Sequence, residues 1–159
     1  MKAILLLPII ILLFYAPFSQ CNVQTNQRED GVTVRYLRPD RIGFCDRLIL
    51  ALSMQTNGKE FFVSTLSVFE TNAVKLKGKL ILKFANDKSS TLEHYRSEIT
   101  TYNGYPATIS TFLVDASGIE NISSSNITMA VIQLADNVYQ SVPVKMNGDI
   151  LKRHYDCLK

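Results

Sequence analysis

Tryptophan is absent from the 159 residues, histidine occurs twice and cysteine three times. Each scarcity removes a class of chemistry. Two histidines as far apart as His94 and His154, with no Cys-x-x-Cys and no His-x-x-x-His, cannot assemble the ligand set of a zinc site, so no metal is expected. The seven glycines form neither a phosphate-cradling loop nor a Gly-x-Ser-x-Gly elbow, and no cofactor is expected. Seventeen basic residues against fourteen acidic ones leave a net charge of +3, too little to imply a nucleic-acid partner.

What is present begins at the amino terminus. Lys2 precedes an unbroken apolar run over residues 3–16, followed by the small polar exit Ser19, Gln20, Cys21. That is the pattern of a secretory signal peptide. The run is shorter than the roughly 20 residues a membrane-crossing helix needs, and Pro8 and Pro17 disfavour a span. The expectation is a signal peptide over residues 1–21 and a secreted, extracellular chain without stable membrane insertion. Lipid modification of Cys21 is disfavoured by Gln20 before it.

A cut after Cys21 leaves Cys45 and Cys157, an even pair in an oxidising compartment, which predicts a disulfide between them. A cut before Cys21 leaves an odd thiol instead. The sequons at Asn121 and Asn126 lie in a polar stretch and predict a glycosylated surface loop. Residues 22–40 are mostly polar at first and then rich in arginine around Pro39, which reads as a flexible mature amino terminus. Residues 41–159 read as a single domain.

Residues 42–55 fit two periods. Cys45, Leu48, Ile49 and Leu52 follow helical spacing, whereas Ile42, Phe44, Leu48, Leu50, Leu52 and Met54 follow strand spacing. Residue type favours a helix, with Asp40 as its cap and Asn57-Gly58 as its stop; the rival reading makes Asn57-Gly58 a hairpin turn between two strands. A short second helix follows over 59–66. Val74, Leu76, Leu80, Leu82 and Phe84 alternate with Lys75, Lys77, Lys79 and Lys83, a strand with one wet face. Leu92, Tyr95, Ile99 and Tyr102 then outline a third helix over 91–102. Strands are predicted over 107–116, 127–134, 138–146 and 149–155, with Pro143 placing its strand at an edge or at a bulge.

The order of helix pair, strand, third helix and long antiparallel strands, with the segment FCDRLILALSMQTNGKEFFVSTL at residues 44–66, resembles the cone-shaped fold of the nuclear transport factor 2-like superfamily. The resemblance covers residues 41–157 and implies an α+β domain in which three helices lie across a curved antiparallel sheet around a cavity. Enzymes of that fold carry Asp, Tyr or His in the cavity, which makes Asp115 and His154 candidate cavity groups, with Asp46 and His94 behind them. None of these sits in a catalytic motif, and Asp115-Ala-Ser-Gly118 reads equally as a turn. No catalytic residue is therefore assigned. The alternative fold is an all-β eight-stranded lipocalin-like barrel, which would use the strand parity of 42–54; the Gly-x-Trp signature of that family is missing.

The function expected from the residues is binding or interaction without catalysis, the partner being another protein or a small apolar ligand. A lipocalin-like carrier of a small apolar ligand and a cone-fold isomerase or dehydratase-like enzyme are the alternatives. A filled interior with an exposed apolar patch would mark the interaction module, and a large internal cavity the carrier.

Overall fold

A computed structural model describes residues 21–28, 30–135 and 137–159. The expected signal peptide, Cys21 apart, lies outside the described residues. The chain is built on antiparallel strands: β1 (Gln24–Gln27), β2 (Thr33–Tyr36), β3 (Asp40–Cys45), β4 (Leu48–Thr56), β5 (Phe61–Phe69), β6 (Leu76–Phe84), β7 (Ser89–Tyr102), β8 (Tyr105–Val114), β9 (Ile127–Leu134) and β10 (Tyr139–Pro143). Two short helices join them, α1 (Ala116–Ser124) and α2 (Ile150–Leu158). The strands form one sheet in the order β1-β2-β4-β5-β8-β7-β6-β9-β10, with β3 paired to β4 off this path.

The three-helix cone is therefore not the fold. All three expected helices are strands. Residues 42–55 split into β3 and β4 around a turn at Asp46 and Arg47, residues 59–66 open β5, and residues 91–102 lie in β7. Good helix formers occupy β4 because its alternate side chains Leu48, Leu50, Leu52 and Met54 are all buried in one core, and burial outweighs intrinsic propensity. Asn57-Gly58 is the hairpin turn of the rival reading. Asn57 Oδ1 accepts the Lys59 and Glu60 amides at 3.0 and 2.7 Å, and Gly58 takes a positive φ of 86°.

The eight-stranded barrel is not formed either. The sheet is open, with no strand ladder between β10 and β3 among the described residues. The segment after β10 nevertheless hangs on β3: the Lys145 and Met146 amides both donate to the Ile42 carbonyl, at 2.8 and 3.2 Å. Pro143 does lie on the terminal strand of the path, where its missing N–H breaks no ladder.

The apparent helical face of residues 91–102 comes from a bulge. His94 pairs with Phe112 and Arg96 with Thr111, so Tyr95 is an extra residue that shifts the alternation by one. Tyr95 and Tyr102 are exposed on the outer face, and Ile99, although it shares the parity of the buried Thr108 and Ser110, is exposed as well. The opposite error occurs at the carboxyl end, where the expected strand over 149–155 is α2. Ile150, Leu151, His154 and Leu158 form its buried stripe. Residues 22–40, expected to be flexible, carry the paired strands β1 and β2.

The core face of the sheet is covered by the helices: α2 packs on β4 and on α1, which itself packs on β7 and β8. Tyr155 of α2 packs against Phe61 in a tilted arrangement, with 5.3 Å between ring centroids. The Arg35 guanidinium donates to the Leu158 carbonyl at the end of α2. Leu50, Leu52, Met54, Leu80, Leu82 and Ile132 are wholly buried, each contributing about 1.5–3 kcal/mol of transfer free energy.

The disulfide differs from expectation. Cys157 pairs with Cys21, not with Cys45, closing a loop with a sequence separation of 136. Cys45 is a free, half-buried thiol. The chain that carries this fold keeps Cys21, so cleavage after that residue is incompatible with it.

Candidate functional site

Sequence reasoning singled out polar groups that the structure disperses. Asp115 is the amino-terminal cap of α1, its carboxylate accepting the Gly118 amide at 2.7 Å and the Ser117 hydroxyl at 3.1 Å. His154 is buried in α2, with Nδ1 accepting the Met54 amide at 3.2 Å. Burial lowers its pKa to about 4, so the ring is neutral. No hydrogen bond joins Asp115 to His154 among the described residues. Asp46 sits exposed in the β3–β4 turn.

The expected glycosylated loop is largely helix. Asn121 lies in α1, buried, with its amide donating to Ser90 Oγ at 2.9 Å. Asn126 follows the helix and is exposed. The two sequons are thus unequal.

His94 brings together the constellation most like a catalytic pair. Its Nε2 lies 2.8 Å from Ser97 Oγ, which lies 2.6 Å from Ser110 Oγ. Ser97 Oγ also donates to the Leu76 carbonyl at 2.9 Å. A carbonyl can only accept, so the single hydroxyl proton of Ser97 is committed there. His94 must then donate to Ser97 from a protonated Nε2, the reverse of what a general base does for a nucleophile. Burial lowers the pKa of His94 and keeps it in that neutral form. The three side chains tie β7 to β8 and to the start of β6. Among the described residues no group of three His, Cys, Asp or Glu side chains could hold a metal ion.

The outer face of the sheet offers a built surface. Along β4 the outward parity is Ile49, Ala51, Ser53 and Gln55; through the ladders it continues into Leu66 and Phe62 of β5 and Ile109 and Thr111 of β8. Ala51, Leu66 and Ala107 form a small buried cluster on this face. Two depressions meet there, sharing Tyr36 and Gln55 in their walls. One, of about 290 Å³, is lined by Leu37, Pro39, Leu66, Tyr102 and Ile109 with the small polar residues Ser53, Ser64 and Thr100 between them. The other, of about 210 Å³, is lined by Phe62, Tyr95, Arg28, Arg96, Asn26 and Asn57.

The β1–β2 hairpin makes one wall of the second depression and the β7 bulge the other. The Arg28 side chain, at the hairpin end, sits 3.2 Å from Asp30 and faces Tyr95; these two neighbours raise the guanidinium pKa further. Tyr95 in turn packs on Phe62 at 5.4 Å. Arg96 projects beside them, exposed and without an ion pair among the described residues. Sequence reasoning missed this surface because it placed 91–102 in a helix. The β-branched run Ile99, Thr100, Thr101 was the available strand signal.

No protein-family model, curated protein or solved structure matches this chain.

Proposed function

We propose that this chain is an exported, disulfide-tethered module that acts by binding, without catalysis, through the outer face of its sheet. The observation that carries the reading is the pair of depressions meeting at Tyr36 and Gln55, on the face opposite a core already filled by Leu50, Leu52 and Met54. A filled interior supports surface recognition over ligand storage inside. Export is supported by Lys2 and the apolar run over residues 3–16, with removal before Cys21, and by the Cys21–Cys157 bridge, a bond that persists in oxidising compartments. Glycosylation is supported at Asn126, which is exposed.

The reading is tested with the neutral apolar dye Nile red. Binding to the secreted protein should bring a fluorescence rise that the Tyr102→Ser/Ile109→Ser double variant loses, with an unchanged circular dichroism spectrum. Dye binding that is identical in the double variant would place the apolar surface elsewhere and overturn the reading.

A second reading, a carrier of a small apolar ligand, is favoured by the Leu37, Pro39, Leu66, Tyr102 and Ile109 depression. It differs in that the ligand would be held on the sheet face.

A further inference from the structure

We infer that the outer-face groove is a site for an amphiphile with a single carboxylate, its head at Arg96 and its apolar chain along Tyr36, Leu66, Tyr102 and Ile109. The inference rests on the outer face being the binding surface and adds the chemistry of the ligand.

The two arms differ in kind. At one end the walls carry two guanidinium groups, three aromatic rings with Tyr36 included, and the amide side chains of Asn26 and Asn57. At the other they carry mainly aliphatic and aromatic surface. A ligand that fills both needs a polar head and an apolar body. The 210 Å³ arm falls below and the 290 Å³ arm only reaches the lower edge of the roughly 300–1,000 Å³ of an ordinary small-molecule site, so a ligand of ordinary size would occupy the pair.

Charge sets the head group. Arg28 already faces Asp30 and Tyr95, whereas Arg96 has no acidic partner among the described residues. Glu98, two residues along β7 and opposite Ile109, shares the face of Arg96, but no ion pair joins the two among the described residues and Glu98 lines neither arm. One uncompensated guanidinium matches one negative charge, and its planar fork suits a carboxylate held by two hydrogen bonds. A doubly charged phosphate would leave a charge unmatched.

The backbone argues against an extended peptide as the occupant. The floor is made by β4, β5 and β8, each paired on both sides, so their amides and carbonyls are taken and no strand can be added there. An apolar chain asks nothing of that backbone. It gains by covering Ile109 and Tyr102, which are 43% and 48% exposed.

The experiment titrates dodecanoate and dodecanol, below their aggregation concentrations, into the ¹⁵N-labelled, disulfide-bonded secreted protein and follows the amide shifts. Dodecanoate should move the amides of Tyr36, Gln55, Arg96 and Ile109 and bind about tenfold more tightly than dodecanol. Arg96→Gln should abolish that preference, and Ile109→Ser should weaken both ligands. Shifts on this face with equal affinity for acid and alcohol, or a preference that survives Arg96→Gln, would overturn the carboxylate assignment while leaving the outer-face reading intact. Shifts confined to core-face residues would overturn both. No binding of either compound, with Nile red still bound at Tyr102 and Ile109, would overturn the amphiphile alone.

Discussion

His154 Nδ1 accepts the backbone N–H of Met54 at 3.2 Å, and this contact fills a gap in the ladder along β4. β2 pairs with Gln55 and Thr56, and β3 with residues up to Leu52, so the Met54 amide falls between two successive strand partners. The Met54 carbonyl accepts from Leu37 at 3.2 Å on the same side. A side chain from the carboxyl-terminal helix thus completes the hydrogen bonding of a strand 100 residues away.

The buried ring makes stability depend on pH. The folded pKa of His154 is about 4, mainly from burial, with Asp40 opposing and Arg153 reinforcing the shift. It lies below the ordinary value near 6.5, so the contribution is complete above pH 6.5 and is lost as pH falls toward 4. The loss should be on the order of 2–3 kcal/mol. His94 is lowered in the same direction and adds to the slope. Urea unfolding at pH 7 and pH 4.5 should show a smaller difference for His154→Gln, which keeps an acceptor but does not titrate. An undiminished difference in that variant would refute the assignment.

The bridge from Cys21 to Cys157 spans nearly the whole described chain. In the chain-entropy account a loop of this length contributes up to about 4–5 kcal/mol. Cys157→Ser should therefore lower secretion and the melting temperature, Cys21→Ser should do the same, and Cys45→Ser should change neither. Equal loss in Cys45→Ser and Cys157→Ser, with Cys21→Ser harmless, would restore the pairing expected from the sequence.

The sequons should be occupied unequally. A glycan on the Asn121 amide would replace its buried bond to Ser90 and could not fit beneath α1. Protein recovered from the medium of a eukaryotic expression host should lose its glycan mass in Asn126→Gln and retain it in Asn121→Gln. The reverse pattern in intact-mass spectra would contradict the placement of α1.

Ser67 Oγ is buried on the core face of β5 without a hydrogen-bond partner among the described residues. Its desolvation is uncompensated, so Ser67→Ala should be neutral or stabilise by up to about 1 kcal/mol. Ser110→Ala, which removes a donor to Ser97, should cost about 1–2 kcal/mol. A urea midpoint that falls more for Ser67→Ala than for Ser110→Ala would show that Ser67 has an unseen partner.

The sequence by itself determined the wet-faced strand from Leu76 to Phe84, with Lys77, Lys79 and Lys83 turned outward, the strand from Ile127 to Leu134 and the restriction of Pro143 to an edge or a bulge. These are local matters: alternation is read directly from side-chain parity, and proline lacks its donor wherever it stands. The fate of residues 42–55 was decided only in the tertiary structure, because both periods fit and the choice belonged to the core that β5, β6 and β9 supply. The bulge at Tyr95 hid β7 by shifting its parity, and no local signal says which residue of a strand will go unpaired. Cys21 finds Cys157 because the segment just before β1 lies beside α2, with Asn22 next to Arg153 and Cys157, a juxtaposition with no trace in the spacing of three cysteines. The groove has the same origin: Arg28 and Tyr36 stand far along the chain from Arg96 and Ile109, and the four line one groove only through six neighbouring strands, β1 to β7 in sheet order.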